Sequence, residues 1–222
     1  MGGAALAAAL LVLGGCGGGD GRGEAEARTT PVADAGAVGT QSAQAQPADT
    51  PEPPAPRVQP DLRLEVNVAA RELSVYRNDE RIATHPVAVG KPEWPTRTGE
   101  WTIGQVIWNP RWVPPAEEWA EDREEKEPGD PENPLGRAQL VYDAPRSIHG
   151  TNDPSSLGKA VSHGSIRVSN EVAMELARMV MEAGGAGKDD AWYRRVRENR
   201  SERVDVPIPN PVPIRVVAGG ED

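Results

Sequence analysis

Apolar and polar residues alternate along several short stretches of this chain. Leu62, Leu64, Val66 and Val68 interleave with Arg63, Glu65 and Asn67, the pattern of a strand with one buried face. Leu73 and Val75 repeat it and run into Arg77-Asn78-Asp79-Glu80, so a hairpin is predicted, continued by a strand from Ile82 to Val89. Trp101–Trp108 and Ala138–Asp143 read as further strands, and Val212, Ile214 and Val216 as a closing one. Between Asn170 and Ala183 the period becomes helical: Val172, Leu176, Met179, Val180 and Ala183 share a face, Ser169 or Asn170 caps the start, and Gly184-Gly185 ends it. A second short helix is predicted over 189–200, with Trp192 and Val196 inward. Short strands separated by turn residues, with one or two short helices, predict a mainly β domain over 58–218, built as a sandwich or barrel.

The pattern is different before residue 58. Residues 4–13 are uncharged and apolar, too short to span a bilayer but the length of a signal-peptide core. Leu13-Gly14-Gly15-Cys16 follows and resembles the bacterial lipobox, which implies lipidation at Cys16, the single cysteine of the chain. No Lys or Arg precedes the run, the one departure from that pattern. Residues 17–56 hold 7 Gly, 9 Ala and 6 Pro and no Leu, Ile, Met or aromatic residue, so they lack the apolar surface that would offset ordering. The expected organisation is a lipoprotein signal peptide at 1–16, a disordered Ala/Gly/Pro linker at 17–57 and one folded domain. The implied location is the cell envelope, membrane-anchored through Cys16 and facing the periplasm or outer surface.

Charge narrows the partners. The 222 residues carry 24 Lys and Arg against 34 Asp and Glu, net −10, which argues against nucleic acid. Nine of the acids, with two basic residues, fall in 117–132; that segment reads as a solvated loop or helix, with a gate over a binding groove as the functional alternative. One cysteine excludes an internal disulfide and a Cys-based zinc cluster, and three histidines leave little for a histidine metal site. No metal and no other cofactor is expected.

The chemistry concentrates in His149-Gly150 and in Ser162-His163-Gly164-Ser165-Ile166-Arg167, with sixteen residues from His149 to Ser165. This spacing resembles the YkuD-type L,D-transpeptidases of bacterial cell walls, whose motif is His-Gly followed by Ser/Thr-His-Gly-Cys-Ile/Val-Arg. Val89-Gly90, Thr96-x-Thr98-Gly99-Glu100-Trp101, Trp108-Asn109-Pro110 and Asn133-Pro134-Leu135-Gly136 extend the resemblance over most of residues 60–217. It implies a β-sandwich with a capping subdomain and a two-step acyl transfer on peptidoglycan stem peptides. The expected partners are those stem peptides and, through the lipid anchor at Cys16, the membrane, and the expected state is a monomer. Where the family carries its nucleophilic Cys, this chain carries Ser165, a hydroxyl that needs a base in contact.

Carried over by position, His149 is the proton acceptor and donor and Ser165 the nucleophile. The Gly150 carbonyl orients the imidazole, and Gly164 and Ser165 N–H groups form the oxyanion site. Arg167 meets a stem-peptide carboxylate, and His163 shapes the substrate-side loop. Three readings stand: an L,D-transpeptidase acting through Ser165, an inactive wall-binding lipoprotein, and a serine-type L,D-carboxypeptidase.

Overall fold

Where apolar residues alternate, the chain pairs and buries them. β1 (Leu62–Asn67) runs antiparallel to β2 (Glu72–Arg77), with Leu64 opposite Val75 and Val66 opposite Leu73, and all four side chains are buried. Asn78 and Asp79 take positive φ in the turn to β3 (Glu80–Pro86), a conformation these residue types tolerate better than most. The computed structural model describes residues 59–219; the signal peptide, Cys16 and linker assigned to 1–57 lie outside the described residues.

The remaining strands are β4 (Val89–Gly90), β5 (Gly99–Trp108), β6 (Ala138–Asp143), β7 (Arg146–His149), β8 (Ala160–Ser162), β9 (Ile166–Arg167) and β10 (Val204–Val217). Eight form one sheet in the order β3-β2-β1-β10-β5-β6-β7-β9, and β4 pairs with β8. The large sheet curls. Ala88, just past β3 at one edge, is bridged to Arg167 of β9 at the other edge by two backbone hydrogen bonds of 2.9 Å. The domain is mainly β with two helices, as predicted.

Two boundaries differ from expectation. The third strand ends at Pro86 instead of running through Val89, and residues 87–89 pair with Arg71, Arg167 and Lys159. The last strand begins eight residues before Val212. Its prolines cannot donate to a ladder, so the sequence hides it, and its register against β5 breaks between Pro207 and Val212.

α1 (Asn170–Ala183) has the predicted limits. Ser169 Oγ accepts the Val172 N–H at 3.2 Å, and Ala173, Leu176, Ala177, Val180 and Met181 are buried. In α2 (Asp190–Glu198) Tyr193, rather than Trp192, joins Val196 in the core. The Trp192 and Tyr193 rings both lie 6.0 Å from that of Trp108, so the helix sits where adjacent positions share one aromatic partner.

Asn109 locks this arrangement. With φ at +47° and 1% exposure, it donates from Nδ2 to the carbonyls of Val196, Asn199 and Glu202, each at 3.0 Å. Its Oδ1 accepts Arg137 Nε at 3.0 Å. Asn109→Ala strands these groups and places alanine in the left-handed region. A loss of about 3 kcal/mol is expected, read as a lower urea midpoint with unchanged slope.

Candidate active site

β7 and β9 lie side by side and parallel, with Ile148 opposite Ile166 and His149 opposite Arg167. Side chains alternate between faces of a strand, so Ile148 and Ile166 enter the core, both fully buried. Ser147 and His149 on one strand, and Ser165 and Arg167 on or beside the other, share the opposite face. His149 and Ser165 are diagonal neighbours across adjoining strands. Such positions are roughly 7–8 Å apart at the backbone, a span that an imidazole can bridge.

Ser165 is half-buried and held on several sides. The Ser147 N–H donates to its Oγ at 3.3 Å, and Ser162 Oγ donates to its carbonyl at 2.5 Å. Lys91 N–H anchors the same turn through the Ser162 carbonyl at 3.0 Å. Gly164 has φ +98°, and a Cβ there would stand 3.3 Å from Arg146 Nε, so backbone conformation and packing both call for glycine. The Gly164 N–H, expected at the oxyanion position, donates to Ser162 Oγ at 3.3 Å.

His149 is 5% exposed. Its Nδ1 lies 2.6 Å from the Gly150 carbonyl, which can only accept, so the proton sits on Nδ1 and Nε2 keeps its lone pair. Burial pushes the imidazole down to about 4, against the opposing pull of the Gly150 carbonyl, and the nearby Arg167 charge lowers it further. Near neutral pH the ring is therefore an uncharged base. Among the described residues, no hydrogen bond joins His149 to Ser165.

Asn170 is the residue that sequence reasoning undervalued, as a helix cap. Its Oδ1 accepts the Arg137 N–H at 2.9 Å and its Nδ2 donates to the Thr151 carbonyl at 3.0 Å, so it ties the start of β6 to the loop after His149. Gly150 makes room for it: a Cβ there would lie 2.2 Å from Asn170 Oδ1. The available signal was redundancy, because Ser169 already fills the cap.

Arg167 carries an unneutralised charge. Its Nε is buried without a hydrogen-bond partner, and no carboxylate pairs with it among the described residues. Burial lowers its proton affinity while the more distant Asp153 raises it. His163 is stacked on Trp119, ring centroids 3.8 Å apart, with Trp94 on it at 4.8 Å. Of the acids in 117–132, all but Asp130 are exposed, as a solvated segment requires, yet Ala120 within it is buried.

The family model for the L,D-transpeptidase catalytic domain, YkuD, matches residues 61–206. YkuD of Bacillus licheniformis, named as an L,D-transpeptidase, is 35% identical over 119 residues, which are 53% of this chain and 59% of that protein. YkuD of Bacillus subtilis is 34% identical over 118 residues, with the same two shares. The chain thus spans about three-fifths of the length of these curated relatives. Among solved structures, an L,D-transpeptidase from Mycobacterium smegmatis matches with a TM-score of 0.45 at 18% identity, over 72% of this chain and 59% of that one. With the family match covering well over half of its length, the chain belongs to the YkuD family of L,D-transpeptidase catalytic domains.

Proposed function

We propose that this protein is a cell-wall acyltransferase acting on peptidoglycan stem peptides, with Ser165 as nucleophile and His149 as its base. The observation that carries this reading is the shared face of β7 and β9, with a neutral imidazole one diagonal step from the hydroxyl. Ser165 Oγ attacks the carbonyl that precedes the terminal D-residue, and its proton passes to His149 Nε2. The C–N bond breaks, His149 returns the proton to the departing amine, and an acyl ester remains on Ser165. An amine of a second stem then attacks the ester carbonyl and loses a proton through His149 to Oγ, which leaves as the C–O bond breaks.

Backbone N–H groups at Gly164 and Ser165 would stabilise the intermediate oxyanion once Gly164 turns from Ser162. The unpaired Arg167, on the face of Ser165, suits a stem carboxylate held bidentately. The apolar run and Cys16 support a lipid anchor and a place in the cell envelope, with the linker as tether.

A second reading, stem-peptide binding without cleavage, is favoured by one observation: Ser165 Oγ accepts from Ser147 N–H and has no bond to His149 among the described residues. Mass spectrometry separates the two. The full chain in detergent, incubated with a tetrapeptide stem or a carbapenem, is expected to gain a covalent adduct on Ser165 that Ser165→Ala lacks. An unmodified wild-type chain that still binds the stem would establish the second reading.

A further inference from the structure

The segment from Arg111 to Asn133 leaves the end of β5 and returns to β6 as a flap with a fixed base. Trp112 and Lys126 exchange two backbone hydrogen bonds of 2.9 Å, and Asn133 Nδ2 closes on the Pro110 carbonyl at 2.7 Å. The tip holds one 3-10 turn, Glu118–Ala120, which buries Ala120. Next to it the Trp119 ring lies on the His163 imidazole at 3.8 Å and 9° from parallel. The column continues through Trp94 to Lys91, whose Nζ stands 4.3 Å over the Trp94 ring.

His163 directly precedes Gly164 and Ser165. Among the described residues no hydrogen bond or ion pair joins 113–124 to 160–167, so stacking is what ties the flap tip to the nucleophile's turn. The fields of Lys91, Arg167, Arg123 and Glu117 all reach His163, with burial the larger influence on it. Trp119 of the flap and Trp94 thus both rest on the same ring.

We propose that Trp119 is a positioning residue for the transfer step: stacked on His163, it steadies the Ser162–Ser165 turn and holds the flap over it, so that an acyl ester on residue 165 meets an amine rather than water. This rests on the acyl-transfer reading above. On this proposal the tip has two positions about its fixed base, latched and lifted. One aromatic pair decides the ratio, so losing it shifts the closed population by roughly fivefold to tenfold.

The test uses the full chain in detergent, in wild-type and Ser165→Cys backgrounds, each with Trp119→Ala and Trp119→Phe. The first readout is the His163 ring-proton resonance, which the stacked indole shifts by its ring current. It is expected to move in Trp119→Ala; a resonance unchanged by that substitution overturns the latch. The second is the ratio of hydrolysed to crosslinked stem in whichever background forms an acyl adduct. The ratio is expected to rise about fivefold to tenfold in Trp119→Ala and to return near the parent value in Trp119→Phe, which keeps a stacking ring. An equal ratio in all three overturns the proposal, as does a loss that Phe does not rescue. If neither background forms an adduct, the transfer reading and the role built on it both fall, and the His163 resonance tells that outcome apart from an absent latch.

Discussion

Ser165→Cys is expected to acylate roughly 100-fold faster than the wild-type chain, measured as adduct formation with a stem tetrapeptide or a carbapenem. Two physical effects act together. A thiol near neutral pH is already a few per cent thiolate, whereas a serine hydroxyl must lose its proton during attack. Position adds to this. The hydrogen bond from the Ser147 N–H to Ser165 Oγ is long at 3.3 Å, a separation ordinary for sulfur with its larger radius and longer bond to Cβ. A thiol therefore suits the Ser147 donor better than a hydroxyl does. If the cysteine variant reacts no faster than wild type, the face shared by β7 and β9 is not an acyl-transfer site.

The buried imidazole of His149 makes the fold and the chemistry both depend on pH. Above pH 6.5 the ring is neutral in the folded and unfolded chains, and its contribution is constant. Between 6.5 and about 4 the unfolded chain binds a proton that the buried ring refuses. Stability therefore falls with falling pH across that window, by about 3 kcal/mol in all at roughly 1.4 kcal/mol per unit. Urea midpoints at pH 7 and pH 4.5 should show the loss, and His149→Gln should flatten the profile over the same range. Catalysis should keep its base to low pH: the acid limb of kcat/KM for acylation is expected near 4, and His149→Gln should cost roughly 100-fold to 10,000-fold. A limb near 6.5, the ordinary histidine value, would mean that the ring is solvated rather than buried.

The legible parts of the fold were those with a repeating pattern long enough to read. β1, β6 and α1 each run six residues or more with an apolar set at one period, and their limits match expectation to within a residue or so. β7, β8 and β9 are four residues or fewer, with side chains such as Ser147, His149 and Arg167 turned to a polar face. A strand that spends one face on a binding site loses the alternation that would announce it. The prolines of β10 concealed half of a central strand for a different reason, since they remove donors without preventing pairing through carbonyls. In the site, the resemblance of the sixteen-residue spacing to the family motif pointed to His149 and Ser165, but nothing local to either residue pointed to Asn170 or Trp119. Each acts across a distance in sequence: Asn170 on Arg137 and Thr151, Trp119 on His163.

By itself the order of residues, read through its resemblance to the family motif, determined what chemistry is available: a hydroxyl at Ser165, an imidazole at His149, a guanidinium at Arg167 and the glycines that let backbone approach backbone. These are properties of side chains and of spacing, and they need no neighbours to be recognised. Only the tertiary structure decided how they are set against each other. Parallel pairing of β7 with β9 made residues sixteen apart in sequence diagonal neighbours on adjoining strands, and burial drew the imidazole down to about 4. The ring of an acidic flap came to rest on the residue two places before the hydroxyl. Register, desolvation and stacking are each relations between distant segments, and no one segment contains them.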